Sequence, residues 1–276
     1  MPDINRTPAT SCEFTVQRWR DGEIEQVRDH VAEEVPVALT FHGVPHVVML
    51  ATPANLEDLA VGFTLSEMIV DSPSEIHSVE AATRDDGALE VRIGIAAAKF
   101  SELLRRQRNL TGRTGCGLCG AQTVEDAIRQ PAPVRGGVTV DVDSLHAALK
   151  DLRGRQEINR LTGSVHAAAW VLPDAGIQLV REDVGRHNAL DKVIGAVARA
   201  GGDFGSGYFV VTSRASYEMV QKTVTVGGTL LAAVSAPTAF AVRLAEASGL
   251  TLIGFAREHQ HVVYAHPSRL LCTANT

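Results

Sequence analysis

The stretch YFVVTSRASYEMVQKTVTVGGTLLAAVSAPTAFAVRLAEASGLTLIGFA, residues 208–256, carries the fold in its periodicity. Three short apolar runs, YFVVTS, TLLAAVS and LTLIGFA, show none of the alternation expected of a half-exposed strand. Two segments with helical spacing separate them. Tyr217, Val220 and Val224 share one helical face, and Phe240, Ala241, Leu244 and Ala245 share another. Apolar strands interleaved with amphipathic helices predict an α/β sheet covered on both faces.

The same alternation extends in both directions. Upstream, SLHAALKDL reads as a helix, and VHAAAWVLP and GIQLVRE read as a strand pair joined through Asp174, Ala175 and Gly176. Leu190, Val193, Ile194 and Val197 then mark a helical face. Downstream, HVVYA is a candidate extra strand. The first half has a different texture. FTVQRW alternates, VPVALTF and VPHVVML flank a His42-Gly43 turn, and IHSVEAAT and ALEVRIGI bracket Asp85-Asp86-Gly87. Thr52 and Pro53 read as a helix start, followed by Leu56, Leu59, Ala60 and Phe63 at helical spacing. FSELLRRQRNL and TVEDAIRQ read as helices, and PAPVRGG as a linker. Two parts are therefore expected: residues 1–130, an α+β part ending in a cysteine-containing loop, and residues 131–276, an α/β domain.

Composition narrows the partners. The 276 residues are 45% hydrophobic and 21% charged, with a net charge of −6, so no global basic field attracts nucleic acid. The N-terminal MPDINRTPATSCEF lacks a basic-then-apolar leader, and no apolar run approaches the ~18–20 residues of a membrane span. A cytoplasmic protein with no membrane contact is expected. In a reducing compartment its cysteines, Cys12, Cys116, Cys119 and Cys272, are not expected to form a disulfide framework.

The pair Cys116 and Cys119 sits in NLTGRTGCGLCGAQ, where residues 115–120 fit both G-x-G-x-x-G and C-x-x-C. A dinucleotide loop needs a hydrophobic strand immediately before its glycines, and Arg105 to Arg113 cannot supply one. Structural zinc needs four closed ligands, and neither Cys12 nor Cys272 has a close companion. The catalytic zinc signature of nucleobase deaminases, H-x-E followed by P-C-x-x-C, is also missing: Gly115 stands where proline should, and SVHAAAW has no glutamate two positions after its histidine. Two small core cysteines would not need three glycines, two threonines and an arginine around them. A thiol on such a loop, beside arginines, is expected to ionise readily, and thiolate is the form that attacks sulfur. A sulfur-handling centre with no bound metal is the reading that remains.

Polar residues gather where strands turn into helices. REDVGRHNALDK holds Arg181, Glu182, Asp183, Arg186, His187, Asn188, Asp191 and Lys192. Taken alone, it could be a solvated helix start with Asp183 as its cap. Two equivalent junctions argue for more, one with Ser213, Arg214 and Ser216, the other with Ser235, Pro237 and Thr238. Ligands of α/β sheets bind beyond the carboxyl ends of strands, where helix N–H groups favour phosphate. The junctions predict a pocket for a phosphorylated ligand, with Arg257, His259 and His261 after the last strand nearby.

TGRTGCGLCG, TGSVHAAAW, REDVGRHNALDKVIG, TSRASYEMVQK, VSAPTAFAVRLAE and LTLIGFARE, with TPANLEDLAVGFTLSEMI before them, resemble in content and order the FdhD family of formate dehydrogenase accessory sulfurtransferases. The resemblance spans about residues 35 to 265. It implies a cytidine-deaminase-like mixed sheet flanked by helices, preceded by the smaller α+β part. It also implies an activity: taking persulfide sulfur from a cysteine desulfurase and passing it to the molybdenum bis(molybdopterin guanine dinucleotide) cofactor for formate dehydrogenase. By the same resemblance Cys116 carries the sulfur and Cys119 assists. The resemblance further implies that Phe255, Ala256, Arg257, Glu258, His259 and Gln260 contact the cofactor and that the protein is a homodimer. Placed on the junctions, the cofactor phosphates would meet Ser213 and Ser235, with His187 beside them and Arg214, Lys192 and Arg257 supplying charge. The alternative is a chaperone that binds the cofactor without chemistry. A dithiol oxidoreductase would need no phosphate pocket.

Overall fold

The computed structural model describes residues 9–84, 86–108 and 131–271. β1 (Ser11–Arg20) and β2 (Glu23–Ala32) form an antiparallel ribbon with Trp19 opposite Ile24 at its tip. β3 (Val35–Phe41) and β4 (Val44–Ala51) follow, joined at His42-Gly43, where both residues take positive φ as a tight hairpin turn requires. Then come α1 (Leu56–Ser66), β5 (Ile76–Thr83), β6 (Leu89–Ile95) and α2 (Ala97–Arg108). Their strands make one sheet of order β4-β3-β6-β5, with β3 and β6 parallel.

Helix α1 begins later than Thr52 and Pro53 suggest. Its N-cap is Asn55, in the left-handed region, and Thr52 points away from it. All three of its polar groups are used elsewhere: Thr52 N donates to Asp183 Oδ2 (3.1 Å), its carbonyl accepts from Lys192 Nζ (2.9 Å), and its Oγ1 accepts from Val184 N (3.1 Å). A residue so engaged with the second half of the chain has no hydroxyl left to cap a helix.

Residues 131–139 form no regular element, but they are tied down. Val134 N donates to the Ser248 carbonyl, and Arg269 Nε donates to that of Gly136. After them the chain forms β7 (Val140–Asp141), α3 (Val142–Gly154), α4 (Glu157–Thr162), β8 (His166–Leu172), β9 (Gly176–Asp183) and α5 (Arg186–Arg199). The quoted stretch supplies β10 (Tyr208–Val211), α6 (Tyr217–Thr225), β11 (Leu230–Ala233), α7 (Ala239–Ser248) and β12 (Thr251–Arg257). β13 (Gln260–Ala265) and β14 (Leu270–Leu271) end the described chain.

The six-stranded sheet runs β13-β12-β11-β10-β8-β9, with β10, β11 and β12 parallel and the outer pairings antiparallel. Successive residues of its central strands enter two different cores. Phe209, Val211, Leu231, Ala233 and Leu252 face α5, α6 and α7, while Tyr208, Val210, Leu230, Ala232 and Ile253 face α3. This is the α/β sheet covered on both faces that the apolar runs predict. The first of these cores continues through α5 and α1 into β3 and β6, so Val37, Phe41 and Val91 belong to the same cluster as Phe209.

The junction of the two sheets is a close helix crossing. A Cβ added to Gly62 in α1 would lie 1.7 Å from the Asp191 carbonyl oxygen, and one added to Gly195 in α5 would lie 1.8 Å from that of Asp58. Each glycine lets the opposite backbone approach where any side chain would collide. Gly195→Ala should therefore destabilise the protein by about 1–3 kcal/mol through overpacking. Gly154→Ala, with nothing within 4 Å of the new Cβ, should leave the denaturation midpoint equal or slightly raised. Equal midpoints for wild type and Gly195→Ala in urea would contradict this packing.

Candidate functional site

The C-terminal ends of β9, β10, β11 and β12 form one crest, and the chain repeats a single plan along it. After β10, residues 212–216 lead into α6; after β11, residues 234–238 lead into α7. The two loops run parallel, bridged between Ala215 and Pro237, with Thr238 N donating to the Ala215 carbonyl (3.0 Å). Ser213 thus corresponds to Ser235, and Ser216 to Thr238.

The two helix starts differ in one respect. Thr238 Oγ1 accepts from Ala241 N at 3.2 Å and caps α7. Ser216, the N-cap of α6, makes no such bond, and its buried Oγ has no partner among the described residues. The N-cap of α5, Gly185, has no side chain to offer. Two adjacent helices therefore present N–H groups without side-chain acceptors, the condition under which a helix start attracts anions.

Beneath the crest lies Asp183, fully buried. Its Oδ1 accepts from Gly185 N (2.8 Å) and Asn188 Nδ2 (3.0 Å); its Oδ2 accepts from Thr52 N (3.1 Å) and pairs with Lys192 Nζ at 2.6 Å. Asp183 does not sit in solvent as a simple cap. Lys192 is equally buried, and burial pushes its ammonium below the ordinary lysine range against the pull of Asp183. Its charge is engaged from below the crest, where no ligand side is open to it. A second buried group supports α6: Lys222 Nζ meets Asp191 Oδ2, Glu67 Oε1 and Ser66 Oγ, each at 2.9 Å. Burial alone would lower the Lys222 ammonium, but Asp191 and Glu67 outweigh it and hold it above its usual value.

The other expected contact residues are spread along the rim. Arg214 and Ser235 are exposed, while Ser213 is buried and donates its hydroxyl to the Arg214 carbonyl (3.1 Å). Phe255 takes a positive φ of 49° where β12 loses register with β13, which leaves its ring 40% exposed at the rim. Its N–H donates to the Ser235 carbonyl at 3.2 Å, joining this strand end to the loop before α7. Ala256 is fully buried and offers only backbone. Arg257, His259 and Gln260 are exposed on the β12–β13 turn, and Glu258 Oε1 pairs with Arg153 Nη1 at 3.0 Å. Cys116 and Cys119 lie outside the described residues, as do Cys272 and the helix expected over TVEDAIRQ.

His187, in the first turn of α5, places Nε2 2.6 Å from Glu218 Oε2 in the first turn of α6. This contact holds the Glu218 carboxyl below the usual range even though burial opposes it. His166, at the start of β8 opposite Asp183, is held below the ordinary imidazole range by burial first and then by Arg186 and His187. Glu218 and His166 escape a reading of the sequence because strand order decides which helix starts are neighbours. Tyr217 and Phe240 are missed for the same reason; their rings stack at 4.5 Å across the starts of α6 and α7. Among the described residues, no group of three or more His, Cys, Asp or Glu side chains is placed to hold a metal ion. No helix there is long and apolar enough to cross a membrane. The crest can hold an anionic ligand that also bears a planar ring, through hydroxyls, unpaired N–H groups, two exposed arginines and exposed aromatic edges.

Comparison with known proteins gives a consistent picture. A family model described as the FdhD/NarQ family matches residues 32–271. A relative from Cupriavidus necator named "Sulfur carrier protein FdhD" is 56% identical over 263 residues, covering 95% of this chain and 91% of that protein. One of the same name from Xanthomonas campestris pv. campestris is 53% identical over 256 residues, covering 93% and 91%. A crystal structure from Desulfotalea psychrophila, described as a formate dehydrogenase accessory protein, superposes with a TM-score of 0.75. It covers 95% of this chain and 100% of its own at 20% identity, and so shares the fold.

Two measurements check this geometry. Lys192→Met leaves Asp183 buried without its cation and should cost about 3–5 kcal/mol in urea unfolding, whereas Arg214→Gln should leave the midpoint unchanged. Because the Glu218 carboxyl is depressed in the folded protein, its contribution to stability exists above the ordinary carboxylate pKa of about 4.3 and is lost as pH falls through its lowered value. The difference in thermal midpoint between wild type and Glu218→Gln should hold steady near neutrality and vanish in acid. A difference that grows below about pH 4 would reverse the assignment.

Proposed function

We propose, since the chain belongs to the FdhD/NarQ family, that it carries sulfur on Cys116 and delivers it to a phosphorylated acceptor held at the crest. The observation that supports this reading is the pair of parallel strand-loop-helix junctions, with Ser213 and Arg214 on one, Ser235 and Thr238 on the other, and α6 left without a side-chain cap. Among the described residues, Ser216 Oγ has no partner and no side chain caps the start of α6, and an anion would satisfy both.

The donor is a cysteine desulfurase. Cys116 thiolate attacks the outer sulfur of the desulfurase persulfide; the new S–S bond forms as the old one breaks, and the desulfurase cysteine leaves as thiolate. The acceptor is the molybdenum bis(molybdopterin guanine dinucleotide) cofactor, as substrate, on its way to formate dehydrogenase. Its phosphates lie against the loops at Ser213 and Ser235, with Arg214 and Arg257 supplying charge and Phe255 lying against a ring. His187, Ala256, Glu258, His259 and Gln260 border the same ligand. Lys192, sealed under the crest, contributes by fixing the loop that ends β9. Cys119 then releases the sulfur by forming a Cys116–Cys119 disulfide, which a cellular dithiol reopens. The protein works in the cytoplasm as a homodimer.

Incubation with a cysteine desulfurase and cysteine should add about 32 Da, one sulfur atom, to the peptide bearing Cys116. Cys116→Ala should abolish both this adduct and activation of formate dehydrogenase. Full activation by Cys116→Ala would instead establish the chaperone that binds the cofactor without chemistry.

A further inference from the structure

Two imidazoles meet on the face of the large sheet that α3 covers, away from the starts of α5, α6 and α7. His146, in the second turn of α3, places Nε2 3.0 Å from Nδ1 of His261, the second residue of β13. Their ring centroids are 5.2 Å apart and the ring planes lie 62° from parallel, so the rings do not stack. Residue order sets His261 beside the crest, but the alternation of β13 turns it to the other side of the sheet. Val263, on the same face as His261, packs in the core beneath α3, whereas Tyr264 packs in the core of α5, α6 and α7.

Both histidines stand on firm supports. Leu145 and Leu149 of α3 are buried in the core that Val263 joins. Two turns further along α3, Arg153 Nη1 pairs with Glu258 Oε1 at 3.0 Å, which ties the helix to the turn before β13 and engages the arginine charge. Asp141, the N-cap of α3, and Asp143 in its first turn bring negative charge to the end of the helix that bears His146.

A neutral imidazole has one N–H and one lone pair, so the contact takes one ring as donor and the other as acceptor. The outer nitrogens, His146 Nδ1 and His261 Nε2, make no hydrogen bond among the described residues. If the donor ring moves its proton to its own outer nitrogen, both inner lone pairs are freed with no net loss of a proton. Two ligands bound at about 2.1 Å stand about 3.0 Å apart across the right angle of an octahedral site and about 3.4 Å apart at a tetrahedral angle. The observed separation matches the first. Imidazole nitrogen suits Ni²⁺, Cu²⁺ and Zn²⁺, whereas Mg²⁺ and Ca²⁺ prefer oxygen.

We propose that His146 and His261 form a binding site for a divalent late transition-metal cation that ties α3 to β13. No third His, Cys, Asp or Glu among the described residues completes the group, so water fills the other positions and the ion exchanges with solution. The site is independent of the sulfur chemistry and of the ligand at the crest.

The probe is Ni²⁺, titrated into full-length protein carrying Cys116→Ser and Cys119→Ser so that the thiol pair does not compete. Calorimetry should show a single strongest site. His146→Gln and His261→Gln should each weaken it at least about 10-fold, the smallest loss expected when even a supporting partner of a metal ligand is removed. His77→Gln, exposed on β5, should leave it unchanged. Nickel is paramagnetic, so in protein with every histidine intact the ring signals of His146 and His261 should broaden before those of the other histidines. Mg²⁺ at the same concentration should neither bind nor broaden them. Absence of Ni²⁺ binding, equal binding after either substitution, or broadening that begins at other histidines would overturn the site and leave only an adventitious surface cation.

Discussion

The carboxylate of Asp183 is buried without exposure, and four donors from three separate places in the chain converge on it: Thr52 N, Gly185 N, Asn188 Nδ2 and Lys192 Nζ. A charge taken out of water costs several kcal/mol unless such donors replace its hydration. The group therefore tolerates almost no displacement, and the segments that supply its donors inherit that rigidity. Thr52 belongs to the loop leaving the first sheet, Gly185 to the turn after β9, Asn188 and Lys192 to α5. The first sheet, the sixth strand of the second sheet and the helix between them are positioned by one carboxylate.

The helix crossing beside it works in the same direction. Gly62 and Gly195 bring α1 and α5 into backbone contact, and that closeness lets Ser66 at the end of α1 donate to Asp191 of α5 while side chains of the α1 segment reach the elements beside α5. Asp58 reaches Arg181 at 2.8 Å, and Ser66 and Glu67 reach Lys222. Lys222 lies in α6, one turn below Glu218, so the N-terminal sheet also steadies the helix that carries one side of the crest. Support from below is ionic, buried and saturated. The upper side is the opposite: Arg214 and Ser235 are exposed, and Ser216 Oγ and Arg186 Nε lack partners among the described residues. Rigid backing with unsatisfied groups on one side is what a preorganised binding surface requires.

The chemistry divides between two kinds of residue. A C-x-x-C thiol pair lies on a glycine-rich segment, and the polar groups of the crest belong to strand ends and helix starts. Sulfur exchange needs thiols that can approach two different partners in turn, whereas a phosphorylated ligand needs donors that stay in place. A chain that separates the two functions in this way suits a carrier acting between a donor protein and a bound acceptor.

Periodicity alone established the alternation over residues 208–256, because a strand buried on both faces and a helix with one apolar face leave different marks in a linear sequence. The hairpin at His42-Gly43, the extra strand HVVYA and the polar content of the three junctions were legible for the same reason, being local. Pairings between distant residues were not. Thr52 reads as a helix cap until Asp183 and Val184, more than 130 positions away, claim its polar groups. Lys192 reads as a charge for a ligand until its burial against Asp183 is seen, and Glu218 carries no signal until β8 and β10 set α5 beside α6. Strand order and burial are decided by how apolar faces close on one another across the whole chain, and that closure, which no local pattern encodes, selected the neighbours of every charged group at the crest.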